Sequence, residues 1–322
     1  KPTYTGERDY FGNSVAINGD YVIIGAWGEK SNSTTDQNNN NLENAGAAFI
    51  FKRDTNAETW SQTAYLKPTV IDPDAFGFSV GIDGDLVVVG ATAEKSNSTT
   101  NQNDNSLTSA GAAYIFKRDS GAETWVQKAY LKEPYPKSQN FFGARVGISG
   151  NCVIISASSH DGASTTNPND AQSSTQSGYN SGAAYIFRTT NDGTSWTMVK
   201  FLKADPPQKQ ASFGRSVAIK GDYATVSEYN ATYTDGNTNG TGKIYIYNTS
   251  DNGANWATIG NGLNASAPNE YGQFYTNFGA SLNIDSSGNV ISAHYQGVDI
   301  VNSGEVNELT APTAGANNMV LS

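Results

Sequence analysis

Cysteine and histidine are almost absent from this chain of 322 residues, which contains one cysteine, Cys152, and two histidines, His160 and His294. A single cysteine excludes an internal disulfide and a zinc site built from cysteines. Because Cys152 begins the apolar run CVII, we expect a small buried side chain rather than a reactive thiol. His160 stands between Ser159 and Asp161, and adjacent loop residues cannot point at one another as a catalytic triad requires. We therefore expect His160 to be an exposed loop residue.

Positive charge and long apolar runs are also scarce. The chain has 20 Lys and Arg against 30 Asp and Glu, which gives a formal net charge of −10. Nucleic acid is not an expected partner, because phosphate backbones are bound by clustered basic residues. No run of 18 apolar residues occurs, so we expect no membrane insertion.

The residues that are plentiful are uncharged and polar. Charged residues make up only 16% of the chain and hydrophobic ones 37%, and the remainder includes 33 Gly together with many Asn, Ser and Thr. This composition is typical of a β protein with many turns. Six N-x-[S/T] sequences favour an extracellular location; they begin at Asn32, Asn97, Asn230, Asn239, Asn248 and Asn264.

The dipeptide Phe-Gly recurs along the chain and marks an internal repeat of about 65 residues. It occurs at 11–12, 76–77, 142–143, 213–214 and 278–279. Each copy opens a short alternating run, such as SVAI, which is followed by a Gly-centred turn and a second apolar run, such as YVIIGA. Two β-rich runs around a tight Gly turn predict a β-hairpin.

Two further strands are predicted in each repeat. After a long polar loop, the phrase AGAAFIFKRD begins at Ala45 and returns as AGAAYIFKRD at Ala110, and looser versions begin at Ser181 and Thr241. A second turn then ends in a tryptophan, and a fourth apolar run follows it. We expect these tryptophans to pack between repeats; they are Trp60, Trp125, Trp196 and Trp256.

One small antiparallel sheet cannot bury both of its faces, so neighbouring repeats must stack. Radial stacking predicts an all-β fold, a β-propeller of five four-stranded antiparallel blades, with residues 1–322 as a single domain. The blades begin near residues 11, 76, 142, 213 and 278.

The string FGNSVAINGDYVIIGA, with AGAAFIFKRD and WSQTAYLK after it, resembles the FG-GAP repeats that build integrin α-subunit heads and many bacterial surface propellers. Phe11-Gly12 and Gly25-Ala26 match the two halves of that motif. The chain resembles the bacterial-type variant, which lacks the integrin calcium loop. The resemblance implies a propeller, usually of seven blades, and an extracellular adhesion role.

The fifth repeat is atypical, because only 44 residues follow Phe278 and none of them is a tryptophan. Two alternatives remain for the tail 305–322. It can complete the ring with a fourth strand at 305–309 or 318–321, or it can be a linker that leaves an open sheet edge for pairing with another chain.

No catalytic motif survives comparison of the repeats. GFSVG at 77–81 matches the nucleophile elbow of α/β hydrolases, but the same register reads GNSVA, GARVG and GRSVA elsewhere, so its serine is a recurring strand residue. Asp235, Asn237 and Asn239 fit the start of a calcium loop, although Ile246 replaces its final Glu. We therefore expect no required cofactor, and calcium remains an option. The Asn-rich loops at 36–40 and 101–105 are better interpreted as turns.

In a four-stranded blade, the loops between strands two and three emerge on one side, here at 31–44, 96–109, 158–181 and 228–241. Long loops on a rigid scaffold commonly carry function. In the fifth repeat this loop shortens to about His294–Gly297, which predicts a notch in the rim. The predicted ligand-binding residues are Trp27, Tyr229, Tyr233, Tyr271, Tyr275 and His294.

Three functions are compatible with the sequence. The first is a non-enzymatic extracellular module that binds a glycan or a protein through the long-loop side. The second is a structural subunit that assembles through an unfinished fifth blade or the tail. The third is a propeller-type polysaccharide lyase or glycosidase, which requires two close carboxylates in the central funnel.

Overall fold

The structure is a computed structural model that describes residues 1–4, 6–170, 178–230, 242–264, 279–294 and 297–301. These residues form nineteen β-strands in five antiparallel sheets, and they contain no helix. Four sheets have four strands and the last has three, and we number them blade 1 to blade 5 in chain order. The all-β fold is thus confirmed, and it is consistent with a β-propeller. The five-blade count and the extent of the domain stay predictions.

The strands follow the repeat. Blade 1 contains β1 (Ser14–Asn18), β2 (Tyr21–Ala26), β3 (Ala47–Asp54) and β4 (Thr59–Leu66); blade 2 contains β5 (Phe76–Asp83), β6 (Leu86–Ala91), β7 (Ala112–Asp119) and β8 (Thr124–Leu131); blade 3 contains β9 (Phe142–Ser149), β10 (Cys152–Ala157), β11 (Ala183–Arg188) and β12 (Thr197–Leu202); blade 4 contains β13 (Phe213–Lys220), β14 (Tyr223–Glu228), β15 (Lys243–Asn248) and β16 (Ala257–Asn264); blade 5 contains β17 (Ser281–Ile284), β18 (Val290–His294) and β19 (Gly297–Val301).

Small residues allow successive blades to approach closely. A Cβ atom added to Gly25 of blade 1 would overlap the carbonyl oxygen of Gly77 in blade 2, and Gly46 forms an isolated parallel bridge with Phe76. Gly90 and Gly143 repeat the first contact between blades 2 and 3. The Phe-Gly and Gly-Ala motifs therefore recur because each pair meets across a blade interface where a side chain has no room.

The core lies between blades, since the first strands of successive sheets pack side by side. Val80 and Ile82 of β5 share a cluster with Ile23 and Ile50 of blade 1, and equivalent clusters join the later blades. Strands β6 and β10 are buried along their whole length, as expected for sheets covered on both faces. Cys152 is buried in one of these clusters, which confirms its expected role.

The two ends of the array expose residues that are buried in the other blades. Val15 and Ile17 of β1 are 63% and 65% exposed, although their counterparts Val80 and Ile82 are buried. At the other end, Ile291 of β18 is 48% exposed, whereas its counterpart Ile23 is fully buried. Within the described residues, each end therefore presents an apolar face without a covering blade.

The expectation that all four repeated tryptophans pack between blades is wrong for the first. Trp125 of blade 2 meets Tyr21 of blade 1 edge-on, with 6.3 Å between ring centroids, and Trp256 is buried beside Cys152 of blade 3. Trp60 is 43% exposed. Each packed tryptophan lies against the preceding blade, and no described blade precedes blade 1.

In blade 5, the connection between β18 and β19 is short, as the sequence predicts, because His294 of β18 pairs directly with Gly297 of β19. The candidate fourth strands and the whole tail 305–322 lie outside the described residues. No helix in the described part of the chain is long and apolar enough to cross a membrane.

Candidate functional site

The long loops between strands two and three share an internal framework. The Ser31 hydroxyl donates to the Asp36 carbonyl at 2.7 Å, and the Ser96 hydroxyl donates to the Asn101 carbonyl at 2.8 Å. The side chain of Asp36 in turn accepts from the backbone N–H of Asn38 at 3.0 Å. These polar side chains bond to their own loop backbone, which agrees with the interpretation of the loops as turns.

A buried ion pair supports the base of each of the first two loops. Lys67 donates to Glu29 at 2.5 Å and to the Gly46 carbonyl at 2.7 Å, and Tyr65 also donates to Glu29. Burial raises the pKa of Glu29 and lowers the pKa of Lys67, and their mutual attraction opposes both shifts. Blade 2 repeats the arrangement with Glu94, Lys132, Gly111 and Tyr130.

Blade 3 replaces this carboxylate with His160, and the expectation that His160 is exposed is wrong. The residue is fully buried, with Nδ1 at 3.3 Å from Lys203 Nζ and Nε2 at 3.1 Å from the Pro168 carbonyl oxygen. Burial, and secondly the Lys203 charge, lower the pKa of His160 to about 3. Burial likewise lowers the pKa of Lys203 to about 7. Comparison of the repeats could have placed His160 correctly, since it aligns with Glu29 and Glu94.

A cavity of about 190 Å³ opens where blades 2, 3 and 4 converge on the long-loop side. In each hairpin, the start of strand one pairs with the end of strand two, as Ser14 does with Gly25. Residues at the start of strand one therefore lie on the same side as the long loop that follows strand two, and the cavity lies on that side. We call this cavity the axial pocket, and it is lined by the side chains of Phe78, Thr92, Phe141, Ala144, Arg145, Ser158 and Arg215.

Aromatic rings and guanidinium groups form a row that includes the axial pocket. The Arg145 guanidinium lies 5.8 Å from the centroid of the Phe78 ring, and the Arg215 guanidinium lies 5.5 Å from that of Tyr229. On the blade 1 side, Trp27 is 6.3 Å from Phe78. Cation–π contacts of this kind hold the flat guanidinium groups in defined orientations.

Neither arginine of the axial pocket has a carboxylate partner among the described residues. Arg145 donates to the Ala144 carbonyl at 2.7 Å, which occupies one of its five N–H groups. Burial, and secondly the neighbouring Arg215 charge, lower the pKa of Arg145. The pocket therefore concentrates positive charge.

The structure places some of the predicted site residues and leaves others outside its described part. Trp27 lies at one end of the row, where Tyr10 stacks on it with a centroid distance of 4.4 Å. Tyr229 lies beside Arg215, and the backbone of His294 belongs to β18. The remaining predicted residues lie outside the described ranges; they are Tyr233, Tyr271, Tyr275, Asp235, Asn237 and Asn239. Within those ranges, no group of three or more His, Cys, Asp or Glu side chains is arranged to hold a metal ion.

Sequence reasoning missed Phe78, Arg145 and Arg215 as a group. The signal was nevertheless in the repeats. Arg145 stands where the other copies have serine, and Phe78 and Arg215 occupy the position that holds Asn13 in the first copy and alanine in the third and fifth. Where one repeat departs from the others, the residue type at that position is not one that the shared fold requires.

Carboxylates with raised pKa values occur, but not in the axial pocket. Burial raises the pKa of both Glu133 and Glu228 to about 7. Glu133 accepts a hydrogen bond from Tyr185, and Glu228 accepts one from Tyr245. None of the described residues that line the pocket carries a carboxylate.

Antiparallel sheets stacked face to face, with small residues at each interface, define an all-β protein whose blades are arranged as in a β-propeller. The family model for the FG-GAP repeat matches three segments, 5–51, 60–116 and 196–247. The chain therefore contains FG-GAP repeats at these three places, as its motifs indicated. No curated protein matches the chain significantly.

Proposed function

We propose that this protein is an extracellular, non-enzymatic binding module that recognises a glycan at the axial pocket. FG-GAP repeats occur in propellers of the extracellular adhesion type, which supports the general class. The observation that carries the proposal is the lining of the pocket, where the aromatic residues Phe78 and Phe141 and the hydroxyl residues Thr92 and Ser158 border one cavity. Sugars bind through this combination, because ring faces stack on aromatic groups and hydroxyls exchange hydrogen bonds.

The scaffold supports the pocket rigidly. Phe78 and Arg215 project from strands β5 and β13, and Thr92 and Ser158 directly follow β6 and β10. Residues on strands hold their positions better than residues on long loops, so little conformational entropy is lost when a ligand binds. A preorganised site of this kind suits recognition.

A glycan array tests the proposal. The wild-type chain is expected to bind a subset of glycans, and Phe78→Ala and Thr92→Val are expected to weaken that binding. Trp60→Ala is the matched control, since it removes an exposed aromatic ring that does not line the pocket. Absence of binding to any glycan, or equal losses in Phe78→Ala and Trp60→Ala, would contradict the proposal.

Assembly with another chain is the second candidate function. It is favoured by the exposed apolar faces at the two ends of the array, around Ile17 in blade 1 and Ile291 in blade 5. The residues equivalent to these two faces pack against each other at the interface between blades 1 and 2, so the two exposed faces are complementary. Analytical ultracentrifugation with and without residues 305–322 tests this function, and a monomer in both cases would contradict it.

A further inference from the structure

We propose that the axial pocket binds an acidic glycan, whose carboxylate or sulfate group lies between Arg145 and Arg215. This inference rests on the proposed function and specifies the chemical class of its ligand. Both guanidinium groups line a single cavity, and both are flanked by aromatic rings that fix their planes. Guanidinium groups recognise carboxylates and sulfates through paired N–H donors.

The internal repeats argue that these arginines have a role outside folding. At the position of Arg145, the other copies use serine to join blades: Ser79 donates to the Gly143 carbonyl at 2.7 Å, and Ser216 accepts from the N–H of Leu282 at 3.0 Å. Blade 3 lacks this serine contact and has the cation Arg145 at the same position. Blade 4 introduces its own cation at Arg215, so that two departures from the repeat meet in one cavity.

The charge balance of the protein strengthens this argument. The chain has a net charge of −10, and two of its other arginines pair closely with acids: Arg53 lies 2.9 Å from Asp20, and Arg118 pairs with Asp85 at 2.5 Å. Arg145, whose pKa is lowered by burial and by a second cation, has no such partner in the described part of the chain. Two like charges placed together are destabilising, and a bound anion would relieve that repulsion.

The rest of the lining favours a sugar acid over a free inorganic anion. Phe78 and Phe141 supply apolar surface that a small oxyanion cannot use, whereas Thr92 and Ser158 supply hydroxyls for ring substituents. The cavity, at about 190 Å³, is smaller than the lower bound of about 300 Å³ for drug-sized pockets. It therefore suits one acidic monosaccharide unit, with the remainder of a glycan outside it.

Isothermal titration calorimetry with three matched oligosaccharides tests the inference: an oligoglucuronate, its methyl ester and the corresponding neutral glucan, with a sulfated glucan as a further probe. The wild type is expected to bind the oligoglucuronate or the sulfated glucan and to bind the ester and the neutral glucan at least about ten-fold more weakly. Arg145→Gln and Arg215→Gln are each expected to weaken binding about 10- to 100-fold.

Arg53→Gln is the matched control, because it removes the same charge from an exposed pair and should leave the affinity unchanged. Arg145→Lys and Arg215→Lys keep the charge but lose the planar fork, so they should also weaken binding while keeping the fold, as monitored by circular dichroism. Equal affinity for acidic and neutral oligosaccharides, with no effect of the arginine variants, would overturn this inference and leave the proposed function intact. Binding of an acidic peptide but of no glycan would overturn both.

Discussion

At the scale of single residues, the glycines of the Phe-Gly motif combine two constraints that can be separated experimentally. Gly12 and Gly77 occupy the same repeat position with nearly the same backbone, at φ +93° and +87°. Gly77 adjoins the backbone of blade 1, where an added Cβ would overlap the Ala47 carbonyl oxygen. At Gly12, no atom of the described residues lies within 4 Å of the added Cβ. The pair therefore distinguishes backbone strain from the close approach of two blades.

We predict that Gly77→Ala lowers the free energy of unfolding by at least about 2 kcal/mol more than Gly12→Ala. Both substitutions strain a left-handed backbone, and only the first also forces two blades apart. Chemical denaturation of the two variants measures the difference. Equal losses would contradict the arrangement described here and would indicate that another sheet covers Gly12.

The buried His160 predicts a specific pH dependence. Its folded pKa of about 3 lies below the value of about 6.5 for an unperturbed histidine, so the unfolded chain binds more protons between these values. Stability from this residue is complete above pH 6.5 and is lost as the pH falls toward 3. Thermal denaturation of wild type and His160→Gln should give a wild-type curve that falls more steeply below pH 6.5. Parallel curves for the two proteins would be the opposite result.

At the scale of elements, the repeat predicted the strands well. Alternating apolar runs and Gly-centred turns are local signals, and the four-strand order in blades 1 to 4 agrees with them. The errors concern contacts between elements. Trp60 is exposed because no described blade precedes it. His160 is buried because it occupies the position at the base of the loop where blades 1 and 2 have the buried carboxylates Glu29 and Glu94. The hydrophobic pattern of a single repeat does not show which other blades or loops will contact it.

The candidate site was predictable only in part for the same reason. The repeat predicted the long-loop side and the candidate residues Trp27 and Tyr229. Thr92 and Ser158 occupy the same repeat position as these two residues, and both line the axial pocket. The convergence of Arg145 and Arg215 on it depends on how blades 3 and 4 pack. That packing involves contacts between strands of different blades, such as the parallel bridge between Gly182 and Phe213, which no pattern within one strand reveals.

The loop supports lead to a prediction at this scale. Lys67→Met leaves the Glu29 carboxylate buried without its cation, so we expect the free energy of unfolding at neutral pH to fall by about 3–5 kcal/mol. The double variant Glu29→Gln with Lys67→Met should be less destabilised than Lys67→Met alone. Lys52→Met, which breaks the half-exposed pair with Glu123, is the control and should lower the free energy of unfolding far less, because solvent screens this pair. A loss for Lys67→Met no larger than the control's would contradict a supporting role.

At the scale of the whole molecule, the apolar face of β1 poses the main structural question. Val15 and Ile17 have the residue types of an interior blade interface, yet no described residue covers them. A covering sheet can come from the same chain, which would close a ring, or from a second copy. Both cases require the face to be buried in solution.

We predict that Ile17→Asp lowers the thermal unfolding midpoint or dissociates an assembly, because a carboxylate would be buried in an apolar interface. Val126→Asp is the matched control on an exposed strand position and should change stability by no more than about 0.5 kcal/mol. Differential scanning calorimetry and analytical ultracentrifugation together distinguish a closed monomer from an assembly. If both variants behave like the wild type, the face is open to solvent and neither covering arrangement holds.

A crystal structure of the protein grown with an oligoglucuronate would show whether the long-loop side of this stacked array binds an acidic glycan. We expect a sugar carboxylate within hydrogen-bonding distance of both Arg145 and Arg215, with the sugar ring against Phe78. Sugar bound elsewhere on the protein, or either arginine paired with a carboxylate of the chain itself, would contradict it.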